Sequence, residues 1–215
     1  PPAADRWRAA LPLAVLTGDA GAQLRILGAL VELTPLPAAA VELLGLAQKA
    51  LPLAQAQADR GAECRLLERM ADAYAAAGQG AAALAAYRQA LAVAADPAVE
   101  GRLLQRLAEG CEAQGEWEAA ASHQRRILEI ARGAGDPAAE EAALLALARP
   151  LAAQGDVAGV LGSLERALPL IRAAGHRRTE LAVLQRLANA WASVGRADDA
   201  LAHRSAALPL AVALE

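Results

Sequence analysis

Apolar residues recur three and four positions apart along most of the chain, which is the spacing of one face of an α-helix. In one stretch Leu67, Met70 and Tyr74 keep this spacing up to Gly78, and the spacing resumes beyond the glycine around Tyr87. Glycine readily takes the left-handed backbone conformation that ends a helix. The pattern therefore predicts two helices joined by a short turn.

The predicted helix pair recurs along the chain with a nearly constant period. The tetrapeptide Ala-Leu-Pro-Leu begins at Ala10 and returns at Ala50, and identical or related sequences begin at positions 90, 127, 167 and 207. The starts are therefore evenly spaced, apart from one shorter step between positions 90 and 127. Glycines at 78, 115, 155 and 195 keep the same spacing, including the shorter first step. Two independent markers in one register indicate internal repetition.

Capping residues mark where helices begin. Asp96-Pro97 and Asp136-Pro137 have the form of an N-cap residue followed by a proline in the first turn. The markers divide the chain into a half repeat, 1-20, and repeats at about 21-60, 61-97, 98-137, 138-177 and 178-215. The first helices of the pairs are predicted near 22-34, 62-77, 98-114, 138-154 and 178-194, and the second helices near 38-57, 80-95, 116-133, 157-174 and 197-213. Prolines 12, 52, 169 and 209 fall late in second helices and predict a kink or a break there.

This pattern resembles the tetratricopeptide (TPR) family, in its variant with repeats of about 40 residues. That family alternates large, small and aromatic positions, which are occupied in one unit by Leu67, Met70, Ala71, Tyr74, Ala83, Tyr87 and Ala90. The resemblance covers essentially all 215 residues. It implies an all-α, right-handed superhelical α-solenoid of antiparallel helix pairs, with about five pairs plus a preceding half repeat in a single domain. It also implies that the first helices line a concave groove, which binds a peptide or a partner protein.

Eight residues on first helices are predicted to face this groove. They are Arg65, Arg69, Arg102, Arg106, Arg149, Gln185, Arg186 and Asn189. The first four lie on two adjacent helices, where they would form a cationic shelf that binds the carboxylates of an acidic peptide. Two alternatives stay open. In one, Arg69 pairs with Asp72 on its own helix and Arg106 does the same with the acid at position 109; in the other, an apolar groove around Leu145 binds a helix.

Composition narrows the range of partners. Hydrophobic residues make up 56% of the chain but aromatic residues only 2%, which favours helices over a sheet. A formal charge of −3 provides no basic field for nucleic acid, and no apolar run approaches the roughly 20 residues that a membrane-spanning helix needs. The charge and the short apolar runs thus predict no nucleic-acid and no membrane partner. Two distant cysteines predict a reducing compartment, and hence a cytoplasmic protein.

No constellation of residues predicts catalysis. His123, His176 and His203 are too far apart in sequence to suggest a zinc site. The adjacent acids Glu140 and Glu141 lie at a predicted helix start, where negative charge is favoured electrostatically. We therefore predict no enzyme activity, no cofactor and no metal site.

The sequence thus predicts an interaction scaffold for a protein or a peptide. The alternative is a sensory or regulatory TPR segment of a larger bacterial regulator, transcriptional or signalling, because the chain starts in the middle of a repeat. The last helix carries Leu208, Leu210 and Val212 and lacks the polar cap that solenoids normally need. We expect either a piece of a longer protein or a homo-oligomer formed through the uncapped terminal helices.

Overall fold

The computed structural model describes residues 3–214, and within this range it contains eleven α-helices and no strand. Pro1, Pro2 and Glu215, at the outer ends of the first and last predicted repeats, lie outside the described residues. The helices are α1 Ala3–Leu16, α2 Ala20–Leu33, α3 Ala40–Ala56, α4 Arg60–Ala76, α5 Gly80–Val93, α6 Pro97–Ala113, α7 Trp117–Ala134, α8 Pro137–Ala153, α9 Val157–Ala174, α10 Arg177–Ser193 and α11 Ala197–Leu214. The even-numbered helices are the first helices of the pairs, and the odd-numbered ones are the second helices.

The predicted all-α architecture of helix pairs is confirmed. The bounds of α2 to α11 lie within about two residues of the predicted ones, which is the usual uncertainty of a helix end. For example, α9 spans Val157–Ala174 as predicted, and α4 spans Arg60–Ala76 against a prediction of 62-77. The agreement has a local cause, because the residues that start and end a helix are neighbours of that helix in sequence.

A kink or a break is predicted at the prolines of the second helices; the break is wrong, and the kink stays a prediction. Four second helices contain these prolines within their bounds: α1 with Pro12, α3 with Pro52, α9 with Pro169 and α11 with Pro209. A proline removes one backbone hydrogen bond and crowds the carbonyl four residues earlier. In α3, however, Ala50 and Ala54 on either side of the proline are completely buried. Packing of this face keeps the backbone helical across the lost bond.

Left-handed residues form most of the turns between helices. Among the described residues, positive φ angles occur at Ala58 and at seven glycines, Gly18, Gly78, Gly115, Gly135, Gly155, Gly175 and Gly195. A residue with a Cβ atom takes this conformation at a cost of roughly 1–2 kcal/mol, whereas glycine takes it readily. Ala58 has φ +54° and occupies the turn that corresponds, one repeat later, to the turn of Gly18. This turn is therefore strained.

Aspartate side chains cap the starts of four first helices. Backbone N–H groups two or three residues further on donate to one carboxylate oxygen at 2.8–3.0 Å in each case; the caps are Asp19, Asp59, Asp96 and Asp136. The caps predicted at Asp96 and Asp136 are thus confirmed. They satisfy N–H groups that have no acceptor inside the helix.

The helices form two compact units, Pro1–Gly110 and Cys111–Glu215, with the boundary inside α6. In the first unit, each helix from α1 to α4 packs against the next one along the chain. In the second unit, the same holds for the helices from α7 to α10. A single domain over residues 1-215 stays a prediction.

Small side chains take part in the helix contacts of the first unit, beside larger residues such as Leu27 and Leu43. Along α3, Ala47, Ala50 and Ala54 follow one another at helical spacing and are completely buried. Ala71 on α4 and Ala83 on α5, the small residues predicted at the contact within a pair, are 0% and 4% exposed. Because alanine projects only a methyl group, two helices with facing alanines can approach closely.

The second unit has a core of larger aliphatic residues. Its fully buried side chains include Leu144, Leu164, Ile171, Leu184 and Leu187. They come from α8, α9 and α10, so that each of these helices contributes to one continuous cluster. Burial of several such side chains at about 1.5–3 kcal/mol each is the main stabilising contribution in this unit.

Replacing Ala58 by glycine should stabilise the first unit. The left-handed backbone then carries no Cβ atom, and we expect the free energy of unfolding to rise by about 0.5–1 kcal/mol after the chain entropy of glycine is subtracted. Gly18→Ala is the matched change in the equivalent turn, where an added Cβ atom meets nothing within 4 Å. It should lower the free energy of unfolding by about 1 kcal/mol. Urea unfolding followed by circular dichroism measures both values, and shifts in the same direction would contradict the assignment of strain.

Candidate functional site

The exposed side of the first helices carries the candidate site. In the first unit, α2 and α4 contact each other, and an open groove of about 470 Å³ lies on them. Leu24 and Leu66 line it and are themselves buried, whereas Arg25 and Arg65 line it and are exposed. The other lining residues are Gly21, Gly28, Ala29, Glu32, Gln57, Asp59 and Ala62. The groove therefore offers both apolar contact and charge to a bound segment.

Arg65, one of the eight predicted groove residues, is available for binding. Its side chain is exposed on α4 and makes no hydrogen bond or ion pair with the described residues. Arg25, at the equivalent position of α2, is also exposed and also lacks such a partner among residues 3–214. The structure thus places two unpaired guanidinium groups along one groove.

Arg69, a second predicted groove residue, donates hydrogen bonds to the backbone at the end of α2. Its Nη2 atom donates to the backbone carbonyls of Val31, at 3.2 Å, and Thr34, at 2.9 Å. Carbonyls at the end of a helix have no donor within the helix, so the guanidinium supplies one. The Nε atom of Arg69 is buried and lies 3.9 Å from a carboxylate oxygen of Glu32. The alternative pairing of Arg69 with Asp72 is wrong, because the guanidinium is already engaged by the neighbouring helix.

Arg102 and Arg106 have acidic partners. Arg102 donates from Nε to Oε1 of Glu68 at 2.8 Å and from Nη2 to Oε2 at 2.9 Å, and this hydrogen bonding raises the pKa of the guanidinium. Arg106 lies 3.9 Å from Glu109 on its own helix, which confirms that intrahelical pair. Three of the four arginines of the predicted cationic shelf thus have partners inside the protein. Binding of an acidic peptide by the four together stays a prediction.

Asp72 accepts a hydrogen bond from Tyr87, a pair that the sequence did not predict. The hydroxyl of Tyr87 on α5 donates to Oδ1 of Asp72 on α4 at 2.5 Å. Tyr87 is 5% exposed. Burial raises the pKa of the hydroxyl, and the hydrogen bond to the Asp72 carboxylate adds to the increase because only the neutral phenol can donate it. The pair was not visible in the sequence because 15 residues separate its members.

Arg149 and Gln185, in the second unit, both have exposed side chains. The Nη1 atom of Arg149 on α8 lies 3.2 Å from Oε2 of Glu112, near the end of α6. Glu112 is largely buried, at 12% side-chain exposure, so this carboxylate has a structural partner in Arg149. Gln185 lies on the exposed face of α10.

Arg186 and Asn189 line a small pocket of the second unit. It has a volume of about 260 Å³, and Val157 and Val160 of α9 contribute apolar surface to it. Partial burial lowers the pKa of the Arg186 guanidinium. Leu145, around which an apolar groove is predicted, is half-buried and packs against the core of this unit. The structure therefore brings Arg186 and Asn189 together and uses Leu145 in packing.

The adjacent acids at the start of α8 have two different partners. Glu140 accepts a hydrogen bond from Nε of Arg132 on α7 at 2.7 Å. Glu141 is 7% exposed, and its Oε1 atom lies 3.1 Å from Nδ1 of His176 at the start of α10. The electrostatic role predicted for these acids at a helix start is incomplete, because each of them also joins α8 to a residue of another repeat element, Arg132 or His176.

Neither a metal cluster nor a membrane span is found in the described part of the chain. Among residues 3–214, no three histidine, cysteine, aspartate or glutamate side chains cluster in a way that would hold a metal ion. No helix of this range combines the length and apolar character needed to cross a bilayer. Cys64 and Cys111 are both buried, and neither forms a disulfide.

Solved structures share this fold, although no protein-family model and no curated protein matches the sequence at a significant level. The chain is similar over 98% of its length to 89% of BtubC (BKLC) from P. vanneervenii, with 19% identity and a TM-score of 0.65. It is similar over 97% of its length to 93% of YrrB, a TPR protein with an unusual peptide-binding site, with 14% identity and a TM-score of 0.64.

A third similar structure belongs to a larger protein. It is a signal transduction ATPase with numerous domains and a TPR sensor, from Pyrococcus horikoshii. The match covers 91% of this chain and 34% of that one, with 15% identity and a TM-score of 0.60. The chain therefore has the fold of TPR proteins, as its sequence resemblance predicts. At such identities the likeness shows the fold alone.

Arg69→Ala should destabilise the first unit more than Arg106→Ala does. The first change leaves two carbonyls at the end of α2 without a charged donor, which should lower the free energy of unfolding by about 1–3 kcal/mol. The second removes one exposed contact of 3.9 Å, which is worth less than about 1 kcal/mol. Urea unfolding of both variants gives the comparison. Equal losses would argue against the structural role of Arg69.

Tyr87→Phe should remove a loss of stability at alkaline pH. The pKa of Tyr87 is raised in the folded state above the value of about 10 in an unfolded chain. The unfolded state thus releases a proton that the folded state retains, and the free energy of unfolding falls as the pH rises above about 10. The phenylalanine variant lacks this contribution, and below pH ~10 it is less stable by about 1 kcal/mol because Asp72 loses its donor.

Urea unfolding at several pH values from about 8 to 11 measures this contribution, since the range spans the tyrosine pKa of an unfolded chain. Tyr74→Phe is the control, because it retains the Tyr87 hydroxyl and should show the same fall as the wild type. If Tyr87→Phe and the wild type lose stability in parallel above pH ~10, the Tyr87 hydroxyl is not responsible.

Proposed function

We propose that the chain is a protein–protein interaction scaffold, which binds a peptide or a partner protein along the exposed face of its first helices. The groove on α2 and α4 supports this most directly, because it is open and Arg25 and Arg65 line it without a partner among the described residues. The fold adds support, since YrrB, which is similar in fold, is a TPR protein with a peptide-binding site. A scaffold function requires no catalytic group.

The partner that we propose is acidic at the site of contact. Guanidinium groups bind carboxylates through paired, charge-assisted hydrogen bonds. Arg25 and Arg65 offer such groups in one groove. The whole chain carries a net charge of −3, so that long-range attraction of polyanions is not the basis of this proposal. The attraction is local to the groove.

Self-association is a further part of the proposal. The terminal second helices expose apolar side chains, which are Leu13 (66%) and Leu16 (84%) on α1 and Leu208 (65%) and Val212 (74%) on α11. Exposed apolar side chains on a terminal helix favour contact with another protein surface, and we propose that another copy of the chain supplies it. Because Cys64 and Cys111 are buried thiols that form no disulfide, as is usual in reducing compartments, we also propose that the protein is cytoplasmic.

A sensory or regulatory segment of a larger protein is the second candidate function. It is favoured by the similarity in fold to the signal transduction ATPase of Pyrococcus horikoshii, in which TPR repeats serve as a sensor. The present chain spans 34% of that protein. In this case the groove of the first helices would bind the signal, and the remainder of the regulator would respond to it.

Site-specific photo-crosslinking tests the scaffold proposal. A photoreactive amino acid is placed at Glu32 or Gln185, exposed on first helices, and in control proteins at Lys49 or Glu165, exposed on second helices. Peptides selected on the immobilised chain from a displayed random library serve as ligands. We expect crosslinks from Glu32 or Gln185 to exceed those from the control positions several-fold. Equal yields from the two sets, or a library without binders, would contradict the proposal.

A further inference from the structure

The first helices of the first unit carry arginines in one register. Arg25, Arg65 and Arg102 each follow the aspartate that caps their helix by six residues, so they occupy equivalent positions on α2, α4 and α6. Arg102 shows what this position binds. Its guanidinium holds the carboxylate of Glu68, on the preceding first helix, through two hydrogen bonds of 2.8 and 2.9 Å.

Arg65 lacks the equivalent partner because α2 has a glycine in its place. Glu68 comes three residues after Arg65 on α4, whereas Gly28 comes three residues after Arg25 on α2. A Cβ atom built on Gly28 would meet nothing within 4 Å, so the place of the missing carboxylate is open. That space belongs to the groove of about 470 Å³, which Gly28 and both arginines line.

Other carboxylates near the groove are engaged elsewhere. Asp19 and Asp59 cap α2 and α4 by accepting backbone N–H groups of their own helices at 2.8 and 2.9 Å. Glu32, one turn beyond the glycine on α2, lies 3.9 Å from Nε of Arg69. These acids lower the local positive charge, but none of them forms a hydrogen bond or ion pair with the two groove arginines in the described part of the chain.

We propose that Arg25 and Arg65 form a subsite for a carboxylate of the bound peptide, in the space that Gly28 leaves open. The subsite rests on the proposed function and adds to it the residues and the chemical group that are recognised. The carboxylate of the ligand takes beside Arg65 the place that Glu68 takes beside Arg102. Because the partner at the equivalent position is a glutamate, a carboxylate of a peptide is the group that fits the subsite.

Gly28→Glu tests this subsite. The new side chain should pair with Arg65 as Glu68 pairs with Arg102. The carboxylate of the protein itself would then fill the subsite and exclude that of the peptide. Gly28→Gln is the matched control, because it has the same size and a similar gain in helix propensity over glycine, but no charge. Arg65→Ala removes the binding group itself. Circular dichroism must show the same helical content in every variant, so that a loss of binding cannot be ascribed to unfolding.

Three short fluorescent peptides serve as probes. The first alternates glutamate and serine and is capped at both ends, and the second carries glutamine in place of glutamate. The third is a serine peptide whose only carboxylate is its free C-terminus, and it distinguishes a terminal from a side-chain carboxylate. Fluorescence anisotropy measures their binding at low and at high salt, since screening weakens pairing between exposed charges.

We expect Gly28→Glu and Arg65→Ala to weaken binding of a carboxylate peptide about tenfold, as the loss of one charge-assisted contact implies. Gly28→Gln fills the same space without a charge, so it should weaken binding less than Gly28→Glu does. Unchanged affinity of Gly28→Glu would overturn the subsite, and so would equal affinity for the glutamate and glutamine peptides or no binding of either carboxylate peptide. If library peptides still crosslink from Glu32 or Gln185 in these cases, the scaffold proposal stands and only the subsite falls.

Discussion

Burial of one face of each helix against its neighbours is the constraint on which the rest of this protein depends, and in the first unit small side chains let the helices approach closely. Ala47, Ala50 and Ala54 of α3 have no exposed surface. At Gly110 of α6 a methyl group would require the buried Leu84 to shift, since a Cβ atom would lie 2.7 Å from its Cδ2 atom. Packing of this kind places one face of each helix against its neighbours. The charged residues of the first helices are therefore left on the exposed side.

On that exposed side, the partners of several arginines are supplied by the neighbouring helix. Arg69 finds backbone carbonyls at the end of α2, Arg102 finds Glu68 and Arg149 finds Glu112. Each of these arginines joins one helix to another. Arg65 meets a helix whose corresponding residue is a glycine, and its guanidinium remains available. The difference between Glu68 on α4 and Gly28 on α2 therefore decides whether the arginine of the next first helix has a carboxylate partner.

Secondary structure was largely predictable because its determinants are close together in sequence. Asp136 caps α8 through N–H groups two and three residues away, and Gly135 beside it ends α7 with a φ of +65°. The prolines of the second helices are an exception, because local sequence preferences do not predict the structure there. Proline by itself predicts a break, yet α3 continues through Pro52 because its alanines are packed against other helices. A tertiary contact outweighs a local preference there.

Sequence alone thus dictates the helix pairs, the regular period at which they repeat and the side of the first helices that bears charge. It does not dictate which of the charged groups are free to bind. The acceptors of Arg69 lie 35 and 38 residues away, and the carboxylate that holds Arg102 lies 34 residues away. Helical periodicity gives the direction in which a side chain points. The partner of that side chain is the residue of the adjoining helix that lies within bonding distance of it. Packing of whole repeats selects that residue, so the available arginines become evident only once the helices are assembled.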